Sequence, residues 1–532
     1  HERIMDLLSR LTVEEKISLL RATSPGISRL DIPKYYHGNE ALHGVVRPGR
    51  FTVFPQAIGL AATWNPELQL QVATVISDEA RARWNELDQG REQKSQFSDL
   101  LTFWSPTVNM ARDPRWGRTP ETYGEDPYLS GIMGTAFVKG LQGDDDRYLK
   151  IVSTPKHFAA NNEEHNRFVC NPQISEKQLR EYYLPAFEAA IQRGGAMAAM
   201  AAYNKVRGLW CTESPYLLDT LLRDELGFDG LVVSDWNAVH NTERTALCGM
   251  DVEMGTSIKE NGKYAFNKYY LADPLLKKVR NGEIPEEAVN KKVRNILKLM
   301  IRLDLIGQVP YDTTGMAAKL AIPAHSKAAR EIAEESLVLL KNSKDMLPLD
   351  PAQYKNVAVI GANATEVFAA GGGSTKLKAK YEVTPLEGLQ NLLDGKARIE
   401  YAPGYQLSKK AYKVGHWFTN EFDKSDEELY KKAINTAAQA ELVIYIGGTS
   451  HEHGSDCEGY DKPNLKLPYQ QDRLLKGILE VNPNTVVVLI SGGPVEIGEW
   501  YNDATALLHG SFLGMEGGNA LARTLFGEVN PS

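Results

Sequence analysis

Short apolar runs alternate with amphipathic segments along residues 1–310 of the chain. Four of these runs end in polar residues and are predicted strands: 103–109, 151–158, 197–204 and 230–236. The segments between them show helical periodicity with defined ends, such as a capping box at Thr12 and Glu15 and a helix that Ser214 begins and Gly227 ends. Strands that alternate with helices predict parallel strands covered by helices. Repetition over this length predicts a (β/α)8-type, TIM-like barrel.

The remainder of the chain predicts a second α/β unit. A predicted helix at 284–305 ends the barrel, so we expect a domain at 1–310, a linker at 311–330 and a second domain at 331–532. The second unit begins with a predicted helix at 326–341. Its predicted strands are 355–361, 441–448, 485–493 and 505–510. Helical stretches between these strands predict an open, mostly parallel α/β sandwich.

Composition excludes several classes of protein. The hydrophobic share of 42% and the charged share of 24% are those of a globular protein with large cores. The net charge of -8 and the lack of a Lys/Arg cluster argue against a nucleic-acid partner. No apolar run approaches the ~20 residues that a membrane-spanning helix needs, so we expect no membrane insertion. The start at His rather than Met suggests a processed or trimmed chain, so the lack of a visible signal peptide says little about secretion. We expect a secreted or periplasmic protein, with a cytoplasmic location as the open alternative.

Neither a metal nor an organic cofactor is expected. The four cysteines are scattered without ligand-like spacing and are predicted to be free thiols: Cys170, Cys211, Cys248 and Cys457. The strand 355–361 runs into glycines but lacks the G-x-G-x-x-G fingerprint of dinucleotide binding, which argues against an α/β oxidoreductase. We expect the loop Gly371 to Ser374 to project toward a neighbouring pocket instead.

Polar groups collect at the predicted strand ends. The stretch LVVSDW carries a buried strand directly into Asp235 and Trp236, and KHF places Lys156 and His157 after another strand. Any one of these groups could belong to a structural ion pair or a solvated loop. Together, an acid beside an aromatic, with Lys-His and several arginines, is typical of a sugar site, because aromatic faces stack on pyranose rings and charges bind hydroxyls.

Glycoside hydrolysis requires a second carboxyl group. The long acidic loop 450–468 follows a predicted strand of the second unit and offers Glu458 between Cys457 and Gly459. If this loop reaches the barrel, burial near Asp235 is expected to raise the pKa of Glu458, as a general acid requires.

These motifs resemble glycoside hydrolase family 3 over almost the whole chain. The matching pieces are TVFPQAIGLAATWNP, RDPRWGRTPETYGEDP, STPKHFAANNEEHNR, SDW and EGYDKPNLKLP. The resemblance implies that Asp235 is the nucleophile and Glu458 the general acid/base of a retaining enzyme, with carboxyl groups about 5–5.5 Å apart. It also implies a set of residues that hold the nonreducing-end sugar: Glu40, Arg118, Lys156, His157, Arg167, Met200, Tyr203 and Trp236.

The N-terminal acid bears on which sugar is preferred. Family β-glucosidases usually carry a DGP-type Asp followed by an Arg, whereas this chain has Glu40 in NEALHG and Val46 in the later position. The NEALHG form resembles the family's β-xylosidases, and the extra methylene occupies space that a hydroxymethyl would need. We therefore expect an exo-acting β-1,4-xylosidase of xylan degradation, acting on plant-type oligosaccharides, with β-glucosidase or dual xylosidase/arabinosidase activity as alternatives. The family's β-N-acetylhexosaminidase branch is disfavoured because AANNEE replaces its GHGD after KHF.

Two features of the chain depart from the family pattern, and an inactive sugar-binding protein is the alternative to an enzyme. The chain ends at LFGEVNPS, where relatives continue, so we expect a truncated sandwich with an exposed edge. Lys462 stands where the family usually has Arg, which puts the rigidity of the acidic loop in doubt. An inactive sugar-binding protein would have no need for Asp235 and Glu458 together. Oligomeric state and chain-length preference are not encoded in any of these patterns.

Overall fold

The structure is a computed structural model of the 532-residue chain. It describes residues 2–87, 100–306, 320, 322–407, 411–414, 417–420, 426–451 and 455–532. Half of the predicted linker 311–330, residues 311–319 and 321, lies outside the described residues. Among the residues described, no helix combines the length and apolarity that a bilayer crossing requires.

The first half forms a barrel. Backbone hydrogen bonds connect segments 20–24, 35–39, 102–107, 152–158, 198–202, 231–235 and 251–254 in this order, and the ring closes where Glu253 N donates to Leu20 O. The named strands in it are Thr23–Ser24, Tyr35–Tyr36, Thr102–Phe103, Val152–Ser153, Ala198–Ala201 and Leu231–Ser234. This TIM-barrel-like half confirms the predicted fold class. Its first pair of strands is antiparallel, which departs from an all-parallel ring.

Helices pack around this ring and begin where the sequence supplies caps. Thr12 and Glu15 form the predicted capping box, and Asn65 and Asp126 cap helices that have proline at their first position. The α-helices of at least six residues are Glu2–Arg10, Val13–Ser18, Ala57–Ala62, Pro66–Glu86, Pro127–Gln142, Thr242–Leu247, Asp273–Arg280 and Glu286–Arg302. Further helical turns, partly of π type, span Glu176–Gln178, Leu179–Tyr183, Pro185–Glu188, Ala189–Arg193 and Tyr216–Glu225.

The predicted barrel strands are longer than the observed ladders. The expected strand 103–109 pairs only at Thr102–Phe103, and the expected strand 151–158 only at Val152–Ser153. Beyond these ladders the chain stays within the barrel through isolated bridges, such as Thr107 with Lys156. The polar ends of the predicted strands therefore form the loops above the barrel, which is where a TIM-like fold places its site.

The second half contains a six-stranded sheet with helices on both faces. The strand order is Val338–Asn342, Ala506–Gly510, Thr485–Ile490, Leu442–Gly448, Asn356–Ile360 and Arg398–Ala402. All neighbours pair in parallel except the first two, which are antiparallel. The helices are Pro323–Glu335, Pro385–Leu393, Glu427–Gln439, Gln471–Val481 and Gly517–Leu525. Separate apolar cores lie on the two faces, so the predicted α/β sandwich is confirmed.

The predicted helix at 326–341 is wrong in its second part. The helix spans Pro323–Glu335, and the apolar run that follows forms the edge strand Val338–Asn342. A short apolar run does not distinguish helix from strand by periodicity, and pairing with Ala506–Gly510 decides the outcome. Ser532 also bonds this edge through its backbone, donating to Leu337 O and accepting from Leu339 N.

The two halves share an extensive contact surface. The helix Pro323–Glu335 contributes Ala328 and Ile332 to the barrel core and Ala333 to the core of the second half. Backbone hydrogen bonds connect the halves as well, since Gln56 N donates to Phe512 O. This contact positions loops of the second half above the barrel.

Candidate active site

Asp235 lies directly after the strand Leu231–Ser234 at the carboxyl end of the barrel. It is buried, and its backbone N–H donates to Ala201 O. Its Oδ1 accepts a hydrogen bond from Trp236 N at 2.7 Å, and its Oδ2 lies 3.7 Å from His157 Nε2. Burial raises the pKa of Asp235, while the positive charge of Arg167 and the Trp236 N–H act in the opposite direction. The strand therefore delivers a fixed carboxyl group to a polar pocket.

His157 is held in one orientation beside this carboxyl group. Asn109 Oδ1 lies 2.9 Å from His157 Nδ1 and also accepts the His157 backbone N–H at 2.6 Å. Since an amide oxygen only accepts, Nδ1 carries the proton and Nε2 accepts from Arg118 Nη1 at 3.2 Å. Burial and the nearby Arg118 and Lys156 hold the pKa of His157 well below its usual range. The imidazole is therefore neutral.

Glu40 and Lys156 form a buried ion pair in the same pocket. Lys156 Nζ lies 2.5 Å from Glu40 Oε1, and both side chains are almost fully buried. Burial raises the pKa of Glu40 to about 7 even though Lys156 favours its charged form. Within the described part of the chain, Glu40 Oε2 is buried and has no hydrogen-bond partner. A buried acceptor without a partner is costly, so this oxygen is suited to a ligand hydroxyl.

Glu458, from the acidic loop of the second half, reaches this pocket. Its Oε1 lies 3.0 Å from Arg167 Nη1 and 3.6 Å from Arg118 Nη1, and its Oε2 accepts from Ser374 N at 2.7 Å. Arg118 Nη1 also donates to His157 Nε2, which lies 3.7 Å from Asp235 Oδ2, so the loop and the strand end that carries Asp235 belong to one network of polar contacts. The acidic loop of the second half and the strand end that carries Asp235 therefore lie at the same pocket.

The predicted raised pKa of Glu458 is wrong. Burial does raise it, but Arg118, Arg167 and the hydrogen bond from Ser374 outweigh burial and hold the pKa of Glu458 well below its usual range. Prediction from burial and Asp235 alone missed the two arginines, which are distant in sequence. In the unliganded protein Glu458 is an ion-paired carboxylate.

The glycine-rich loop contacts Glu458, as the sequence predicts. Ser374 supplies the N–H to Glu458, and Gly373 has φ +61°. A Cβ at Gly373 would lie 2.5 Å from Glu458 Cβ, so only glycine allows this close approach.

Asp461 binds the acidic loop to the barrel, a role that the sequence analysis missed. Its Oδ1 accepts from Gly117 N at 3.1 Å, and its Oδ2 accepts from Glu164 N at 3.1 Å and His165 N at 3.0 Å. Lys462, whose place raised doubt about loop rigidity, is buried. Its Nζ lies 3.1 Å from Asp456 Oδ1 and donates to Pro494 O. Lysine thus provides the ion pair that holds this end of the loop.

Aromatic residues surround the charged network. Tyr203 packs edge-on to Phe168 at 4.7 Å, and Arg167 lies 5.1 Å above the Tyr203 ring. Burial and the nearby Asp235 charge raise the pKa of Tyr203 well above its usual value, so its hydroxyl stays protonated. Trp236 is half-buried and packs against Trp104. Met200 is buried within the strand Ala198–Ala201.

Three further observations concern the cysteines, possible metal ligands and two acids that pair with the arginines of the site. All four cysteines are free, as predicted. Within the described residues no group of acidic, histidine and cysteine side chains is arranged to hold a metal ion. Glu121 and Glu164, which the sequence analysis missed, bind Arg118 and Arg167 at 2.7 and 2.6 Å.

Comparison with known proteins agrees with this geometry. The models described as Glycosyl hydrolase family 3 N terminal domain and C-terminal domain match residues 7–299 and 337–532. The chain belongs to glycosyl hydrolase family 3. It is therefore a glycoside hydrolase of a family that retains anomeric configuration by double displacement.

Family 3 relatives and solved structures cover this chain almost completely. It is 36% identical to the beta-glucosidase BoGH3A of Bacteroides ovatus and 33% identical to a beta-xylosidase of Formosa agariphila, each over its full length. It spans 70% and 72% of those proteins. The β-glucosidase DesR of Streptomyces venezuelae superposes with a TM-score of 0.86 at 25% identity, over 99% of this chain and 77% of DesR. The exo-beta-xylosidase XlnD gives 0.84 at 28% identity, over 100% of this chain and 67% of XlnD.

Proposed function

We propose that the protein is an exo-β-1,4-xylosidase that releases single xylose units from the nonreducing end of plant-type oligosaccharides. The observation that carries the choice of xylose is Glu40, whose Oε2 is buried without a partner in the described residues. Val46, where the resemblance places an arginine in β-glucosidases, is buried and donates its backbone N–H to Glu40 O. A longer acid and an apolar neighbour favour a sugar without a hydroxymethyl group.

Asp235 and Glu458 are assigned the two chemical roles. Asp235 attacks the anomeric carbon through a carboxylate oxygen, and the bond from that carbon to the leaving oxygen breaks. The proton of Glu458 passes to the leaving oxygen, which departs as the aglycone alcohol. Glu458 then takes a proton from water as water displaces Asp235, so the configuration is retained.

Glu458 must be protonated when the substrate is bound, although it is ion-paired in the free protein. The arginines that lower its pKa are the same residues that the resemblance assigns to sugar binding, Arg118 and Arg167. A sugar that takes hydrogen bonds from these arginines weakens their contacts with Glu458, which are among the causes of its low pKa. Substrate binding therefore favours the acid form of Glu458.

A β-glucosidase is the second candidate, because the relative from Bacteroides ovatus carries that name. Turnover of 4-nitrophenyl β-xyloside, β-glucoside and α-L-arabinofuranoside at equal concentration separates the candidates. We expect the highest kcat/KM for the xyloside and release of β-xylose, seen by proton NMR before mutarotation. Faster release of glucose would refute the choice of xylose, and no release from any of the three would refute the enzyme.

A further inference from the structure

Glu164 is a third buried carboxyl group beside Glu458. Arg167 Nη1 donates to both, at 2.6 Å to Glu164 Oε2 and 3.0 Å to Glu458 Oε1. Glu164 Oε2 also accepts from Gly459 N at 2.9 Å, and its Oε1 accepts from Trp116 Nε1 at 3.1 Å. The two carboxyl groups therefore share one guanidinium nitrogen and its positive charge, and Glu164 holds the residue that follows Glu458.

The charged groups around the pair determine where a proton resides. Glu458 faces Arg118, Arg167, Tyr203, Glu164 and the Ser374 N–H. Glu164 faces the same two arginines, Glu458 and the N–H groups of Trp116 and Gly459. Among the hydrogen bonds of the described residues, Asp461 reaches Glu164 through its backbone N–H and not through its carboxyl group.

These surroundings raise the pKa of Glu164 and lower the pKa of Glu458. Burial raises the pKa of Glu164 to about 7, with a further contribution from the charge of Glu458. Coupling between two sites is reciprocal, so a charge on Glu164 favours the protonated form of Glu458. Without Glu164, Arg167 would be free to pair with Glu458 alone.

We propose that Glu164 is a positioning residue that sets the proton affinity of Glu458 through its charge and through the Arg167 guanidinium that the two acids share. The inference rests on the proposed function, in which Glu458 is the general acid/base. It assigns Glu164 to the acid step, where the leaving oxygen is protonated. A residue that only fixes the loop would act through its hydrogen bonds with Gly459 and Trp116 and not through its charge.

Two substitutions separate charge from shape. Glu164→Gln keeps the length of the side chain and an acceptor oxygen but removes the charge. Glu164→Asp keeps the charge but is one methylene shorter. Glu163→Gln is the matched control, because it removes the charge of the adjacent acid, which has no hydrogen bond to Arg167 among those that the structure shows.

The measurement is the pH dependence of kcat with xylobiose, which needs a proton on its leaving oxygen, and with 2,4-dinitrophenyl β-xyloside, which does not. For Glu164→Gln with xylobiose, we expect the alkaline side of the profile of kcat against pH, its basic limb, to move to lower pH by about one unit. We expect kcat at neutral pH to fall about tenfold. Turnover of the dinitrophenyl xyloside should change less than about twofold. Glu164→Asp should keep the basic limb of the wild-type protein, and so should Glu163→Gln.

The outcomes distinguish this inference from the proposed function. If the wild-type protein releases xylose but the basic limb of Glu164→Gln does not move, the inference is wrong and the xylosidase stands. Equal shifts in the Gln and Asp variants would also overturn it, because they would indicate loss of the loop contact. If Glu164→Gln does not fold, Glu164→Asp decides, because it keeps the charge and alters the contacts: a basic limb that moves in this variant overturns the inference. No turnover by the wild-type protein refutes the proposed function itself.

Discussion

Arg167 Nη1 lies 3.0 Å from Glu458 Oε1, so a barrel side chain binds the acidic loop of the second half. Arg118, at 3.6 Å from the same oxygen, adds a second positive charge. Glu458 is consequently a carboxylate in the unliganded protein rather than a protonated acid. Glu458 can act as an acid when substrate binding weakens its contacts with Arg118 and Arg167.

Replacement of Glu458 tests its role as acid and base. We expect Glu458→Ala to lower kcat for 4-nitrophenyl β-xyloside by about 100-fold or more, because both proton transfers lose their partner. Azide should restore part of this loss, since it reacts with the xylosyl-enzyme without a general base. The product should be β-xylosyl azide, identified by proton NMR.

Asp235 provides the contrast for that experiment. Asp235→Asn retains an oxygen for the Trp236 N–H, so the fold should persist, while turnover should fall at least about a thousandfold. Azide should yield no β-xylosyl azide with this variant. Formation of the β-azide by the Asn variant would assign the nucleophile to another residue.

Shortening Glu40 tests the basis of the sugar preference. In Glu40→Asp the carboxyl group withdraws by one methylene from a buried position beside Lys156. We expect the ratio of kcat/KM for β-glucoside over β-xyloside to rise about tenfold, because one methylene in a pocket contributes about 1–3 kcal/mol to discrimination. Glu40→Gln, which keeps the length, should lower both activities without this change in ratio. An unchanged ratio in Glu40→Asp would refute the role of side-chain length.

The contacts of Asp461 predict that it holds the acid/base loop in place. In Asp461→Asn one acceptor oxygen becomes an amide donor that faces the N–H groups of Glu164 and His165. We expect kcat/KM to fall about tenfold, since hydrogen bonds to a charged group contribute about 1.5–3 kcal/mol. Cleavage of the loop 455–468 by added protease should become faster.

Asp113→Asn is the control for this prediction. Asp113 lies in the barrel loop that contains Gly117, a partner of Asp461, but forms a half-exposed ion pair with Arg115, and such pairs contribute little. Its kcat/KM should change less than about twofold. A similar effect of both substitutions would show that loss of an acid in this region, rather than loss of the loop contact, lowers activity.

Much of the fold could be predicted because the barrel and the sheet follow local patterns. The strand Leu231–Ser234 is a continuous apolar run that ends in Asp235, and a strand end of this kind faces the pocket of a barrel. The strand Val338–Asn342 was not predictable in the same way. Its apolar run is compatible with helix or strand, and its partner Ala506–Gly510 is distant in sequence.

The residues of the site were likewise predictable only in part. Asp235 and Glu458 were predicted from a strand end and a motif, but the low pKa of Glu458 depends on Arg118 and Arg167, whose distances no sequence pattern gives. Asp461 lies within the motif EGYDKPNLKLP, yet its contacts are with backbone N–H groups, which every residue except proline has. Only tertiary structure shows which of them meet a carboxylate.

Buried glutamates make the stability of the protein depend on pH. Burial raises the pKa of Glu253 to about 7, even though Leu271 N donates to its Oε2 at 2.7 Å. A folded-state pKa above the unfolded value stabilises the fold below about pH 4.5, and this contribution is lost as pH rises through about 7. Three other glutamates share this value: Glu40 and Glu164, which are buried, and Glu382, which is partly buried.

We therefore expect the thermal midpoint, measured at one heating rate, to fall between pH 5 and pH 8. Glu253→Gln keeps an acceptor for Leu271 N and removes the charge, so it should flatten this dependence by an amount equivalent to about 1–3 kcal/mol. Glu260→Gln is the control, because Glu260 is exposed and pairs with Lys268 at the surface. If the midpoints of wild type and Glu253→Gln run parallel from pH 5 to pH 8, Glu253 does not carry the proton that the raised pKa implies.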